Sequence, residues 1–414
     1  MVDDNLETTR RNLLRGGTAL TTGAVSGATA GCLSLLPPVG SEIRYGRVDT
    51  PTQVGTDPAY RRWMPADDAL SELESMVTVG DMHWVSVTPG TLGMAELDAA
   101  FRIGAAVVLS ALDYVGYDFE HYDHVHGLGR LGTVAEGDLD TSVLTETLRN
   151  SGYNHDGTYY GWELFDRADI PRAVAVSEDA VIQSTGEHRR AFVELLVDAG
   201  EGRIDRHHEH DERFAAFSEW VGLYPTLLEG FGGGFSNLEP EDSTLAYTFD
   251  EDAAYFIYLQ QYPDGETPTR GEIQAELDNS IKRAMQAWAV DIEIDGSYVA
   301  VEMRVDKSEF QSDFVADRTP YLTWGVDDGG KAVTVRHEAG ESVPLDQVDI
   351  EPADALLDRP PEGAVLEPGD ELTFTTAEFP EGDEQISLLY NYTGTEHDTA
   401  ALFHYTPNVF DTDR

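Results

Sequence analysis

The stretch VDIEIDGSYVAVEMRV, residues 290–305, constrains the fold more than any other part of the chain. Val299, Val301, Met303 and Val305 alternate with polar or small positions, the period of two that a half-buried strand uses, and Asp295-Gly296 supplies a tight reversal. A chain carrying this segment has an antiparallel hairpin with an apolar face to bury. Just upstream, TLAYTFD and AYFIYLQQY read as a second hairpin. Between the two, Thr269 and Glu272 form a capping box for a helix with Ile273, Leu277, Ile281 and Met285 on one stripe. The order strand, strand, helix, strand, strand defines a module over 226–315, entered through the glycine-rich GFGGGFSN. That glycine run lacks the Lys-Ser/Thr of a phosphate loop and reads as a connector.

A mixed module is expected ahead of it, over 59–225. DMHWVSV reads as a strand, followed by a long helix on which Leu97, Phe101, Ala105, Val108, Leu112 and Val115 recur at helical spacing. The strand LGTVAEG leads to a helix that Asp140 can cap, with Leu144 and Leu148 inward and Gly152 as its left-handed stop. GTYYGWELFD, RAVAVS and AVIQST read as extended, and helices follow near Arg189 to Ala199 and Glu212 to Gly222. From about Tyr321 helical periods vanish. AVTVRH, DQVDI, ELTFTT, ISLLYNY and ALFHYT are short strands between Gly, Pro and acidic turns, which implies a β-sandwich over 316–414. The expected fold class is α+β: two mixed α+β modules followed by a C-terminal β-sandwich.

Charge narrows the setting. Acidic residues number 77 against 27 basic ones, a formal net charge of -50, and Lys282, Lys307 and Lys331 are the only lysines. At low salt such a surface repels itself, whereas in molar salt the Debye length falls to about 3 Å and the repulsion is screened. Nucleic acid is disfavoured as a partner, since its phosphates demand a basic patch and none is visible in the sequence. Disorder is excluded by a 41% hydrophobic and 10% aromatic content.

The first residues read as a targeting segment. Arg10 and Arg11 precede a weakly apolar, Gly- and Ala-rich run from Leu13 to Ala30, the pattern of a twin-arginine export signal. The run closes on Thr29-Ala30-Gly31-Cys32, a lipobox-like sequence in which Cys32 would take the lipid. As the sole cysteine, Cys32 has no partner for an internal disulfide. The expectation is a signal peptide over 1–31, a tether over 32–58 with an r.m.s. reach of about 25 Å, and a body held at the extracytoplasmic face of the cell membrane.

Two segments carry a resemblance to known families. VRHEAGESVPLDQVDI, with LEPGDELTF after it, resembles the C-terminal β-domain of haloarchaeal pilin-like and archaellin-like surface proteins. LFDRADIPRAVAVSEDAVIQS is similar to haloarchaeal lipoproteins of the twin-arginine route, a family with no known activity to carry over. The resemblance implies a halophile's cell envelope.

Histidines are the main chemical lead. EHYDHVHG offers His121, Asp123, His124 and His126, and RHHEHDE offers His207, His208, Glu209 and His210. If the first is a strand, His124 and His126 share a face as a chelating pair would, and imidazole suits zinc, copper or nickel. The competing reading is surface hydrogen bonding beside Asp and Glu. Asp250-Glu251-Asp252 and Asp327-Asp328 read as acidic hairpin turns, and Asn391-Tyr392-Thr393 is an N-glycosylation acceptor. No GxSxG or HExxH occurs. The expected function is a lipid-anchored envelope protein of a halophile that binds, or associates with an envelope or surface protein, without catalysis. Three alternatives stand beside it: an extracytoplasmic protein binding a divalent metal through the histidines, a solute-binding lipoprotein, and a hydrolase of envelope polymers.

Overall fold

A computed structural model describes residues 44–51, 57–71, 84–89, 112–129, 131–222, 226–229, 238, 240–250, 252–284, 289–306, 320–358, 360–361, 363–376, 385–391 and 399–407. In chain order the strands begin with β1 (Arg44–Tyr45), β2 (Trp84–Val87), β3 (His124–Leu128), β4 (Thr133–Glu136), β5 (Asn154–Tyr159), β6 (Trp162–Arg167), β7 (Arg172–Val176) and β8 (Ala180–Thr185). Next come β9 (Thr226–Glu229), β10 (Asp242–Phe249), β11 (Ala253–Gln261), β12 (Ala289–Asp295) and β13 (Tyr298–Asp306). The last are β14 (Leu322–Asp328), β15 (Ala332–Gly340), β16 (Val343–Pro344), β17 (Val348–Glu351), β18 (Val365–Leu366), β19 (Glu371–Thr375), β20 (Ile386–Asn391) and β21 (Thr399–Tyr405). The helices are α1 (Asp67–Ser71), α2 (Thr141–Asn150), α3 (Arg189–Gly200), α4 (His207–His210), α5 (Glu212–Val221) and α6 (Arg270–Ala284). The class is α+β. None of these helices is long and apolar enough to cross a membrane.

The chain divides into two compact units, each built from two stretches: 1–74 with 199–310, and 75–198 with 311–414. This division cuts across the linear modules read from the sequence, because long-range strand pairing and packing decide which segments cohere.

In the first unit the strand order is β1-β12-β13-β11-β10-β9. Asp295 pairs with Tyr298, so Gly296-Ser297 is a two-residue loop, and Gly296 takes a φ of 60 that favours glycine. Val299, Val301, Met303 and Val305 are all buried, as their alternation requires, and so are Ile273 and Leu277 of α6. Each such side chain contributes roughly 1.5–3 kcal/mol relative to exposure. Thr269 and Glu272 form the expected capping box, with the Thr269 amide donating to Glu272 Oε2 at 2.8 Å. Of the expected tether over 32–58, the described residues 44–50 are held against this sheet. β1 runs parallel to β12, Val48 packs with Ala253 and Tyr255, and Thr50 Oγ1 donates to the buried Glu302 at 2.6 Å. A two-residue strand that pairs with a partner 245 positions away has no local signature.

In the second unit the sheet order is β2-β3-β4-β8-β7-β6-β5. Val125, Ala135, Val174 and Val181 share one core with Leu144 and Leu148 of α2. That helix begins as expected, with Asp140 accepting from the Ser142 amide at 2.8 Å, and Gly152 follows it at a φ of 82. The C-terminal sheets β14-β15-β19 and β17-β20-β21 close on a second core of Trp324, Val335, Phe374, Leu388 and Phe403. Two expectations are corrected. Leu112 and Val115 are not helical: both are buried in irregular chain, whose backbone is held by side chains of other elements. The upstream part of that helix, Leu97 to Val108, and the GFGGGFSN connector lie outside the described residues. GTYYGWELFD is a hairpin, with Tyr160-Gly161 between β5 and β6 and Tyr160 at a φ of 47.

Candidate functional site

The first histidine cluster is built by the β2-β3-β4 ladder. Ser86 pairs with His126, and His124 pairs with Glu136 across the next rung. His124 and His126 therefore share a face, with ring centroids 6.0 Å apart and planes 22° from parallel. His126 is buried and both ring nitrogens are engaged: Nδ1 with Ser86 Oγ at 2.9 Å and Nε2 with Glu136 Oε2 at 3.0 Å. With the Glu136 carboxylate as acceptor, Nε2 is assigned the proton and Nδ1 accepts from the Ser86 hydroxyl. Burial, then His126, lowers the pKa of His124, against the pull of Glu136 and Asp123; its Nδ1 meets Thr88 Oγ1 at 3.3 Å.

The order carboxylate, imidazole, hydroxyl is that of a hydrolase triad entered from the other ring nitrogen. Ser86 is 1% exposed, so the hydroxyl meets no substrate in this conformation. The bonds tie side chains of β2, β3 and β4 together inside the sheet and fix the orientation of the imidazole. His121 turns away: it stacks on Tyr117 at 4.4 Å and its Nε2 donates to the Asp138 carbonyl at 3.3 Å. Asp123 is exposed, and its amide donates to the Glu136 carbonyl.

The second cluster lies in the other unit. His207, His208 and His210 occupy one helical turn, α4; His207 and His210 take different partners, while the buried His208 Nδ1 has none among the described residues. His207 Nδ1 lies 3.4 Å from Asp67 with its ring against Phe214, and His210 Nε2 meets Asp205 at 2.8 Å. The Asp205 bond raises the His210 pKa, while burial and Arg61 lower that of His208. Glu209 Oε2 accepts from the Arg206 amide at 2.8 Å. Among the described residues no group of three or more His, Cys, Asp or Glu side chains converges as a metal site would require. Asn391 ends β20 half-buried. Arg10, Arg11 and Cys32 lie outside the described residues.

Among the described residues, a concentrated group of buried charge was not singled out in the sequence. Arg167, 1% exposed at the end of β6, grips Asp169 with two bonds of 2.9 and 2.6 Å. Its Nη1 reaches the Ser151 carbonyl at 3.1 Å and Glu338 Oε2 at 3.0 Å, and its guanidinium lies over the Tyr153 ring. Burial disfavours the charged arginine, but Asp169, Tyr153 and Glu338 outweigh it and hold the pKa above its ordinary value. Burial also disfavours the Asp169 carboxylate. Arg167 and the Val326 amide, which donates at 3.1 Å, prevail and keep its pKa low. Beside this group the buried Asp113 contacts Arg172 and accepts from the Tyr153 hydroxyl. The Asp113 amide donates to Gln183 at 2.9 Å, and Tyr321 donates to the Asp113 carbonyl at 2.9 Å. The network joins β6 and β7 to β14 and β15, so its chemistry is cohesion of the unit. The one available signal was an arginine ending the apolar strand WELFDR in a chain so poor in cations.

No family model and no curated protein matches the chain. Solved structures of the spirochete protein TP0453 are similar at low level. Its crystal form I gives a TM-score of 0.37 at 13% identity, over 55% of this chain and 90% of that one. Crystal form III gives 0.36 at 14%, over 62% and 96%. A likeness at these scores carries no functional information.

Proposed function

We propose that the chain is an exported, lipid-anchored envelope protein of a halophile that acts by binding or structural association at the extracytoplasmic face of the membrane. The carrying observation is the succession along the chain: Arg10-Arg11, a weakly apolar run, Cys32, and then a body whose first described strand starts at Arg44. A lipid on Cys32 would bind with about 0.8 kcal/mol per buried methylene, so two chains hold where one would leak. Supporting the association reading, the buried charges Arg167 and Asp113 of the second unit are paired with Asp169, Glu338 and Arg172. The net charge of -50 supports working conditions of molar salt.

The test is fractionation of cells carrying the full chain. Wild type is expected in the membrane fraction with a thioether lipid on Cys32 by mass spectrometry. Cys32→Ser should move to the soluble fraction, and Arg10→Lys with Arg11→Lys should retain the uncleaved chain in the cytosol. A bare Cys32 thiol in the native product would overturn the proposal.

A further inference from the structure

Resting on the lipid-anchor reading, we infer that the first unit meets the lipid surface with one particular end of its sheet, the end that carries the β10–β11 turn.

Arg44 and Tyr45 pair in parallel with Ala289 and Val290, and the Gly46 amide donates to the Val290 carbonyl at 2.9 Å. The Tyr45 hydroxyl bonds the Gln274 carbonyl and Asp278 Oδ1, each at 3.2 Å, so this point of the chain is fixed to a strand and to a helix. Because β1 runs with β12, Arg44, its first residue, sits at the end of the sheet where β12 starts, beside Ala289. Register puts other landmarks at that same end: Ala289 pairs with Arg304, Arg304 with Tyr255, and Phe249 with Ala254. The turn between β10 and β11, with the exposed Asp252, therefore lies at the same end of the sheet as Arg44, the first described residue after Cys32. The Gly296-Ser297 loop and the segment after Gln261 lie at the opposite end, since Gln261 pairs with Tyr298.

Lengths make the difference measurable. The twelve steps from Cys32 to Arg44 span at most about 40 Å fully extended and about 20 Å as a flexible r.m.s. distance. β11, from Ala253 to Gln261, is about 26 Å long at ~3.3 Å per residue. The two ends of the sheet thus differ in depth by a distance comparable to the tether itself. Acidic groups at the near end, Asp250 and Asp252, would be screened from lipid headgroups in molar salt, where the Debye length is about 3 Å.

The experiment uses the native, processed full chain reconstituted into phosphatidylcholine vesicles doped with a headgroup spin-labelled lipid, in molar KCl. Anchoring occupies the only native thiol, so a single fluorophore can be placed at Asp252→Cys or at Glu266→Cys, both exposed positions. Quenching at Asp252→Cys is expected to exceed that at Glu266→Cys at least twofold, and the excess should vanish in the unlipidated Cys32→Ser background. Equal or reversed quenching in protein that floats with the vesicles overturns the inference and leaves the anchor reading standing. Labelling of Cys32 itself in wild type, with no flotation, overturns both.

Discussion

Replacing Arg167 with methionine tests the cohesion reading of the second unit most directly. The substitution keeps much of the side chain's length and removes the guanidinium that bonds Asp169 twice, the Ser151 carbonyl and Glu338. Two carboxylates are left facing each other's space: Glu338 is 10% exposed and Asp169 27%. Breaking a buried ion pair from one side costs about 3–5 kcal/mol, and the partial solvation of Asp169 argues for the lower end, about 3 kcal/mol. The assay is urea denaturation in molar KCl, followed by near-UV circular dichroism on the transition that belongs to this unit. Adding Asp169→Asn and Glu338→Gln to Arg167→Met should return a large part of the loss, because it is uncompensated charge that costs. Gly325→Ala should act in the same direction: a Cβ there would overlap the Glu338 carboxylate that Arg167 pins. The low pKa of Asp169 sets the pH arm. Its contribution is complete above the ordinary carboxylate range and is lost as pH falls through that range to the folded value. A loss below 1 kcal/mol for Arg167→Met, or no recovery in the charge-free combination, would refute the reasoning.

Further outcomes are expected. Dialysis from molar KCl to low salt should unfold the protein, read by loss of near-UV signal and its return on adding salt; full structure at low salt would contradict the charge argument. His124, His208 and His337 have lowered pKa values, so the unfolded chain binds their protons more readily and stability should fall as pH drops below 6.5. The raised pKa of exposed His210 opposes this, and His124→Gln should flatten the slope between pH 7 and 5 in acid titrations of unfolding. Asp211 accepts from the Phe214 amide at the start of α5, and Asp211→Ala should cost about 1 kcal/mol in urea denaturation. Zinc or nickel titrated by calorimetry should bind no tighter to wild type than to a His124→Ala, His208→Ala double variant; a tenfold difference would revive the metal reading.

Elements with their own period or cap were legible in the sequence. The Asp295-Gly296 hairpin, the Asp140 cap with Leu144 and Leu148 inward, and the short strands of the sandwich all follow from local chemistry. Leu112 and Val115 show where that logic fails: spacing placed them on a helix, yet the side chains of Gln183 and Tyr321, both distant in sequence, bond the backbone beside them. For the site, the shared face of His124 and His126 was read correctly from the strand period. Their partners were not, because Ser86 and Glu136 reach His126 only through sheet register, which no single segment encodes. The Arg167 network was illegible for a like reason: Ser151, Asp169 and Glu338 come from a helix end, a turn and a strand.

The interleaving of the two units bears on how the protein can be made. The first unit draws on residues up to 310 and the second on residues up to 414, so neither is complete while its later stretch is still on the ribosome. A truncation at residue 225 would leave both bodies missing strands. Secretion that threads chain through a pore as it emerges would keep these stretches apart until the later one had crossed, whereas a finished globule would carry them already joined.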